Sequence, residues 1–197
     1  MSGFKPPKRR READVEWRVF FVPREDQESA FVHPKLEGSS VETRTDMYVP
    51  VSSATGVKKR DGTRWELKRR SKTVDGMEVW SKKLIQESDL ERVIAEDRAE
   101  PDLSAYRLDV AKRRRRVVLS RGVCVMEQTE LEISLQGGGD GRTETWRTVS
   151  IEGKADSVSE QREAILETCH AHGTHLAISG YPEYAVAAAA RLAQAQE

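Results

Sequence analysis

The sequence predicts an α+β, mainly β domain in which eight antiparallel strands close into a barrel, a tunnel with flanking helices. Three observations predict this fold. Charged and apolar side chains alternate along much of the chain between residues 14 and 152, as expected for strands with two different faces. Asp61-Gly62 separates two of these segments and is the strongest short signal for a hairpin. The alternation gives about eight strands, which is enough to close a barrel.

The first strand alternates over 14–22 and ends at Pro23. Turn residues separate the strands that follow it, notably Asp75-Gly76, a turn near 120–122 and the glycine-rich loop 137–141. The further predicted strands are 41–49, 55–60, 63–71, 78–84, 106–119, 122–135 and 144–152.

Helices are predicted in only three places. Apolar residues between 90 and 94 fall at helical spacing ahead of Pro101. Ser157 or Ser159 can cap a helix over 160–172. The alanine-rich segment 183–196 is helical by propensity.

The composition is that of one medium-sized domain. The chain has 197 residues, 37% hydrophobic and 34% charged, and no stretch approaches the roughly 18 apolar residues of a membrane helix. Its two cysteines, Cys124 and Cys169, are far apart and imply no disulfide framework. We therefore expect a cytoplasmic protein with no membrane partner. Both a monomer and a homodimer stay open.

The first residues differ from the rest of the chain. Residues 1–12 are polar and contain four consecutive basic residues at 8–11. We expect them to form a disordered basic tail, followed by a single domain over 13–197. The basic run is also compatible with a nuclear address.

The charges are balanced in number but grouped along the chain. Lys and Arg together number 33, as do Asp and Glu. Because residues two apart on a strand share a face, each predicted strand has a charged face. Basic residues dominate the middle strands, and acidic residues dominate the first and last. The aligned charges are Asp14, Glu16 and Arg18; Arg44 and Asp46; Lys58 and Arg60; Glu66, Lys68 and Arg70; Lys112, Arg114 and Arg116; Glu130 and Glu132; and Glu152.

For any single strand, a solvated face of an amphipathic sheet explains this pattern. The set as a whole segregates by sign, whereas solvated faces mix signs. If these faces point into a closed barrel, the lumen is a charged tunnel whose like charges require a counter-ligand. A polyphosphate with a divalent metal suits such a lumen, because Arg and Lys bind phosphate oxygens and carboxylates bind the metal.

Several short motifs occur in order along the chain. They are Asp14-Val-Glu16-Trp-Arg18, Thr45-Asp46-Met-Tyr48, Gly56-Val-Lys58-Lys-Arg60, Glu66-Leu-Lys68, Lys112-Arg-Arg114, Glu130-Leu-Glu132 and Ser150-Ile-Glu152-Gly153. Together they resemble the motifs of the CYTH superfamily, the triphosphate tunnel metalloenzymes, which include thiamine, inorganic and RNA triphosphatases and a class of adenylyl cyclases. The resemblance spans about residues 14–184. The first motif is similar to the family signature Glu-x-Glu-x-Lys.

The resemblance implies metal-dependent hydrolysis of an inorganic, nucleoside or thiamine triphosphate inside the barrel. It implies Mg²⁺ or Mn²⁺ as the cofactor and assigns catalytic roles to Glu16, Arg18 and Glu152. The residues implied to bind the triphosphate are Arg18, Arg44, Lys58, Arg60, Lys68, Lys112 and Arg114. The residues implied to hold the metal are Asp14, Glu16 and Glu152, assisted by Glu130 or Glu132.

Two positions depart from the family signature. Asp14 stands in place of a glutamate and reaches one methylene less far. Arg18 stands in place of a lysine and, because it stays protonated, cannot act as a general base. A non-catalytic module that binds polyphosphate or nucleotide with the same fold is therefore a second hypothesis.

Two further readings are weaker. An open nucleic-acid surface lacks the exposed aromatic residues needed for base stacking. The segment from Cys169 to His175 collects metal-capable side chains, but its spacing matches no usual zinc pattern, and we expect a helix end there.

Overall fold

Eight antiparallel strands form a closed barrel, as predicted. The computed structural model describes residues 14–24, 32–99, 102–119, 124–136 and 142–194. The strands within these ranges are β1 (Val15–Pro23), β2 (Val41–Pro50), β3 (Thr55–Arg60), β4 (Arg64–Val74), β5 (Met77–Ile85), β6 (Leu108–Leu119), β7 (Cys124–Leu135), β8 (Thr143–Gly153) and β9 (Gly173–Ile178).

The barrel closes between β1 and β5. The strand order is β5, β4, β3, β2, β6, β7, β8, β1, and Glu16 of β1 lies opposite Glu78 of β5. The later part of β1, from Val19 to Pro23, pairs with β9 instead. One edge of β1 therefore meets β8, and the other meets first β5 and then β9.

Tight turns join β3 to β4 and β4 to β5. At Asp61-Gly62, between β3 and β4, both residues have positive φ, 47° and 65°. Asp75-Gly76, between β4 and β5, repeats this geometry with φ of 49° and 75°. A two-residue turn with both φ values positive matches the right-handed twist of paired strands, which is why Asp-Gly predicts a hairpin.

Helix α1 (Leu90–Asp97) covers the outside of β3 and β4. Leu90 and Val93 pack against Trp65 and Leu67. Trp65 and Leu67 alternate with charged residues along β4, so the charged side chains lie on the opposite face of the strand, which points into the barrel.

Helix α2 (Ala155–His172) covers the outside of β1 and β8. Ile165 and Cys169 pack in one core with Trp17 and Ile151. On β1 the outer face is apolar, and the inner face begins with charged residues.

Helix α3 (Tyr181–Gln194) closes one end of the barrel, which we call the closed end; the opposite end, where β1 begins, is the mouth. Tyr184 stacks on Phe20 of β1, with ring centroids 3.9 Å apart and planes 4° apart. The space left between α3 and the strands here is only about 10 Å³. The apolar residues that enclose this end are Phe20, Tyr48, Leu108, Val110, Leu131, Ile133, Tyr184, Ala185, Ala188, Ala189 and Leu192.

The elements follow the prediction closely, with three differences. Helix α2 begins at Ala155, ahead of the predicted start at 160, and α3 begins at Tyr181. Strand β9 was not predicted; the expected helix end near His175 is instead a strand that completes the edge of β1. The predicted tail 1–12, the turn near 120–122 and the glycine-rich loop 137–141 lie outside the described residues. None of the helices in the described ranges combines the length and apolar character that crossing a membrane demands.

Candidate polyanion site in the barrel

A cavity of about 460 Å³ occupies the barrel between the mouth and α3. Its volume falls within the roughly 300–1,000 Å³ typical of small-molecule sites. Ten Lys and Arg residues and four Glu residues line it, and the buried Asp46 pairs with three of these basic residues, so basic groups outnumber acidic ones by five. Positive charges crowded in this way repel one another, and an anionic ligand relieves that repulsion.

Glu16 lies on the inner face of β1 between two cations. Its Oε2 accepts a hydrogen bond of 2.8 Å from Nζ of Lys68, and its Oε1 lies 3.3 Å from Nη2 of Arg18. Burial raises the pKa of Glu16, but Lys68 and Arg18 outweigh burial and lower it to about 2. Glu16 is therefore ionised at neutral pH, and both of its oxygens are in ion pairs.

Asp46 of β2 is fully buried and draws three cations together. Its Oδ2 lies 2.9 Å from Nζ of Lys112, 3.5 Å from Nζ of Lys58 and 3.3 Å from Nε of Arg44. Burial raises the pKa of Asp46, and Lys112 and Lys58 then lower it to about 2. One carboxylate thus balances a cluster from β2, β3 and β6 that keeps a positive excess.

Lys112 lies deepest among the lining lysines and arginines of β6. Its Nζ donates to Asp46 and to the hydroxyl of Tyr48 at 2.7 Å, and it lies 4.3 Å from the ring centroid of Tyr181. Burial and the neighbouring Lys58 lower the pKa of Lys112 well below its usual range. A bound anion would oppose this shift, because it favours the charged ammonium.

Tyr181, the first residue of α3, forms the floor of the cavity. The guanidinium of Arg18 also lies over its ring, with Cζ 4.3 Å from the centroid. Rings beneath a cation attract it through their negative faces. The helix that closes the barrel therefore also supports the two innermost cations, Arg18 and Lys112.

Glu127 of β7 is a second carboxylate partner within the cavity. Its Oε2 accepts from Nη1 of Arg114 at 3.3 Å, and its Oε1 lies 4.0 Å from Nη2 of Arg18. Burial raises the pKa of Glu127, but Arg18 and Arg114 outweigh it, so the net shift is downward.

Three guanidinium groups around the cavity keep a buried donor with no hydrogen-bond acceptor in the described part of the chain. They are Nε of Arg44, Arg60 and Arg114. The Nε of Arg44 is close to Asp46 but is not oriented to donate to it. Buried donors without a partner are costly, so these groups are suited to ligand oxygens.

The residues predicted to bind a triphosphate all face this cavity. They are Arg18, Arg44, Lys58, Arg60, Lys68, Lys112 and Arg114. The two carboxylates predicted to act in catalysis, Glu16 and Glu152, face it as well. On β6, residues 112, 114 and 116 face inward, whereas Arg113 points outward and pairs with Glu130 at 3.1 Å.

Three predicted metal ligands lie elsewhere. Asp14 is exposed and pairs with Lys154 at 2.8 Å. Glu130 and Glu132 lie on the outer face of β7, because Leu131 between them points inward to α3. The expectation that Glu130 or Glu132 assists in metal binding does not fit this register; Glu127 is the inward glutamate of β7.

Asp46, Tyr48 and Arg116 were predicted on charged faces but not in the site, Tyr181 belongs to the Gly180-Tyr-Pro-x-Tyr184 segment of the resemblance but was given no role, and Glu127 was not predicted. Parity could have indicated Glu127, since it is two residues from Thr129 and four from Leu131 on the inner face. For Tyr181, the only signal in the sequence is the Gly180-Tyr-Pro-x-Tyr184 segment of the resemblance.

Glu16 and Glu152 form the part of the site that suits a divalent metal. They are register partners on β1 and β8, and both are oxygen donors, which Mg²⁺ and Mn²⁺ prefer. Each carboxylate forms an ion pair with a lysine, Glu16 with Lys68 at 2.8 Å and Glu152 with Lys82 at 3.0 Å. No group of three or more His, Cys, Asp or Glu residues with metal-binding geometry occurs in the described ranges, the 169–175 segment included. Two carboxylates still fit Mg²⁺, which commonly takes one or two carboxylates together with phosphate oxygens and water.

No protein-family model and no curated protein matches the chain. Among solved structures, the chain is similar to the hypothetical protein NE1496, with 12% identity over 75% of this chain and 80% of that one and a TM-score of 0.30. It is also similar to a conserved hypothetical protein from Pyrococcus furiosus, with 17% identity over 79% of this chain and 88% of that one and a TM-score of 0.32. Likeness of this degree carries no conclusion about function.

Proposed function

We propose that this protein binds a triphosphate in the barrel and hydrolyses its terminal phosphoryl group with the aid of Mg²⁺ or Mn²⁺. Inorganic, nucleoside and thiamine triphosphates are the candidate substrates. The observation that carries the proposal is the convergence of ten Lys and Arg residues on one 460 Å³ cavity. A triphosphate combines the required negative charge with the small cross-section that such a cavity admits.

The basic side chains would bind and orient the substrate. Arg44, Arg60 and Arg114 line the cavity and each has a buried Nε without an acceptor among the described residues, and a guanidinium suits phosphate oxygens geometrically. Arg18 would stabilise charge on the phosphoryl group rather than remove a proton, because burial lowers its pKa but Tyr181 and Glu16 outweigh burial and raise the pKa above its usual value. The barrel wall and the floor at Tyr181 exclude bulk water, which strengthens these interactions.

Glu16 and Glu152 would hold the metal. When bound, the metal supplies charge neutralisation on the phosphate oxygens and activation of a water molecule. Lys68 and Lys82 pair with these carboxylates, and with a metal held by Glu16 and Glu152 the two lysines would be free to contact the phosphate.

A second function, binding without hydrolysis, is favoured by these same ion pairs. Both oxygens of Glu16 are engaged, and Arg18 cannot serve as a general base. On this alternative the protein is a polyphosphate- or nucleotide-binding module.

One assay separates the two functions. The protein is incubated with tripolyphosphate, ATP or thiamine triphosphate and Mg²⁺ or Mn²⁺, and phosphate release is followed, with EDTA as the control. Release that EDTA abolishes supports hydrolysis. Calorimetric binding without release supports the module, and absence of both would refute a polyphosphate site.

A further inference from the structure

Three glutamates lie in one row across the closure of the barrel. Glu16 of β1 is the register partner of Glu152 on β8 and of Glu78 on β5. Carboxylates placed side by side in this way repel one another. Each has a cationic partner from β4 or β5: Lys68 at 2.8 Å from Glu16, Arg70 at 2.7 Å from Glu78 and Lys82 at 3.0 Å from Glu152. The barrel therefore neutralises this acidic row with its own side chains.

Two of the three ion pairs are held by further contacts. Glu78 pairs with Arg70 through Oε1 and accepts a second hydrogen bond of 3.2 Å at Oε2 from Nε1 of Trp80. Lys68 is mostly buried, and its Nζ lies 4.4 Å from the ring centroid of Trp80. The ring attracts the ammonium in addition to the carboxylate of Glu16. Both pairs are therefore costly to break.

The pair between Lys82 and Glu152 differs from the other two. Both side chains are about half exposed, at 51% and 50%, and both reach the cavity. Within the described ranges, Lys82 engages Oε1 of Glu152, and Oε2 has no partner. Exposed ion pairs contribute little to stability, because water competes with them. Lys82 is therefore the lysine of this row that exchanges its partner most readily.

We propose that Lys82 is an intramolecular competitor of the divalent metal at Glu152. The ammonium and a metal ion bind the same carboxylate oxygen, and a competitor on the same chain is always present at high effective concentration. A polyphosphate in the cavity offers Lys82 other oxygens, so its binding releases Glu152. Metal binding is therefore weak before the polyphosphate is bound and stronger afterwards, and the effect is reciprocal.

This inference rests on the proposed function and adds its regulation. The carboxylate is opened to the metal by the same ligand that the metal serves, so the metal binds with the polyphosphate rather than ahead of it. Lys82 then has two alternative partners, Glu152 and the phosphate chain. Removing its charge should change the affinity for the two ligands in opposite directions.

The test measures each ligand alone on the full chain, because tripolyphosphate itself chelates divalent metals. Mn²⁺ binding is followed by the electron paramagnetic resonance signal of the free ion, and tripolyphosphate binding by calorimetry in EDTA. Lys82→Met should bind Mn²⁺ about three- to fivefold more tightly than the unchanged protein, the scale of one exposed ion pair. It should bind tripolyphosphate more weakly by a similar factor. Circular dichroism checks the fold.

Two further variants separate local competition from a general loss of positive charge. Lys154→Met removes a lysine two positions from Glu152 that pairs instead with Asp14 at 2.8 Å. It should leave both affinities within about twofold, since charges at the surface are screened. Lys82→Arg keeps a cation beside Glu152 and should retain the weak Mn²⁺ binding of the unchanged protein.

The outcomes distinguish this inference from the function on which it rests. Equal Mn²⁺ affinity in Lys82→Met and the unchanged protein, including no binding by either, would overturn the competition and leave the polyphosphate site in place. The same tightening in Lys154→Met would overturn it as well. Failure of the unchanged protein to bind tripolyphosphate would remove the proposed function itself.

Discussion

Glu16 of β1 and Glu152 of β8 lie directly opposite each other in the strand register, with both side chains on the wall of the cavity. Like charges in this position destabilise a sheet. Here Lys68 and Arg18 compensate Glu16, and Lys82 compensates Glu152. The two carboxylates therefore repel each other across the strand pair, and a divalent cation bound between them would stabilise the arrangement.

Replacing Glu16 by glutamine tests this pair. Glu16→Gln should reduce metal-dependent phosphate release by roughly 100-fold or more, since one of two metal ligands is lost. Metal-free binding of tripolyphosphate should become tighter, because the cavity loses a negative charge. The matched control is Glu132→Gln, an outward glutamate, which should change neither quantity. Undiminished release by Glu16→Gln would remove Glu16 from the chemistry.

Acid should destabilise the fold in a defined range of pH. The pKa values of Glu16 and Asp46 are lowered by folding to about 2 from 4.5 and 3.8. Their stabilising effect is complete above pH 4.5 and is lost as the pH falls towards 2, since the unfolded chain then binds more protons. For buried Glu16 alone the shift corresponds to about 3 kcal/mol. Urea unfolding of the unchanged protein and Glu16→Gln between pH 2 and 6 should show a shallower slope for the variant; identical slopes would contradict the assigned pKa.

A polyanion should stabilise the folded protein. The excess of basic over acidic side chains in the cavity is present only when the barrel is assembled, so a ligand that neutralises it binds the folded state. Tripolyphosphate at 100 times its dissociation constant should add about 2.7 kcal/mol to the free energy of unfolding. Thermal unfolding with tripolyphosphate and with the same ionic strength of NaCl measures this effect. A shift no larger than that of NaCl would argue against a specific site.

Gly180 should tolerate no side chain. A Cβ there collides with Glu78 and Trp80 of β5, near the closure of the barrel between β1 and β5, so Gly180→Ala should cost about 1–3 kcal/mol of stability, as overpacking does. It should also weaken triphosphate binding, because Gly180 precedes the floor residue Tyr181. The control is Gly62→Ala at the β3–β4 turn, where φ is 65° and no atom lies within 4 Å of the added Cβ among the described residues. Its cost comes from the backbone, and binding should be unchanged. If Gly180→Ala kept the stability and the triphosphate affinity of the unchanged protein, the contacts of Gly180 with Glu78 and Trp80 would not constrain the fold or the cavity.

Much of the fold and the basic wall could be predicted because both depend on strand alternation. Arg60 and Lys68 each lie on the charged face of their strand, and closing the sheet into a barrel brings these faces together independently of the loop conformations. The Asp61-Gly62 signal located the β3–β4 hairpin but not its register, because Arg60 pairs with Arg64 and three residues lie between them.

The acidic residues were harder to assign because β7 has glutamates of both parities. Glu127 faces inward, and Glu130 and Glu132 face outward; a one-residue choice of register reverses them. Asp46 was noted on the charged face, but only the folded barrel shows Lys112, Lys58 and Arg44 meeting at it. Strand β9 is short and mostly exposed, so its alternation was too weak to outweigh the helical signal before it.

The pairing of β1 has a consequence for the order of folding. Val15 pairs with Gly153, 138 positions further along the chain. During synthesis at about 5–20 residues per second, β1 leaves the ribosome many seconds before the partner that completes its long edge. Such distant pairing also slows folding in general. The charged residues Glu16 and Arg18 on this waiting strand make its unpaired edge a poor template for association with other chains.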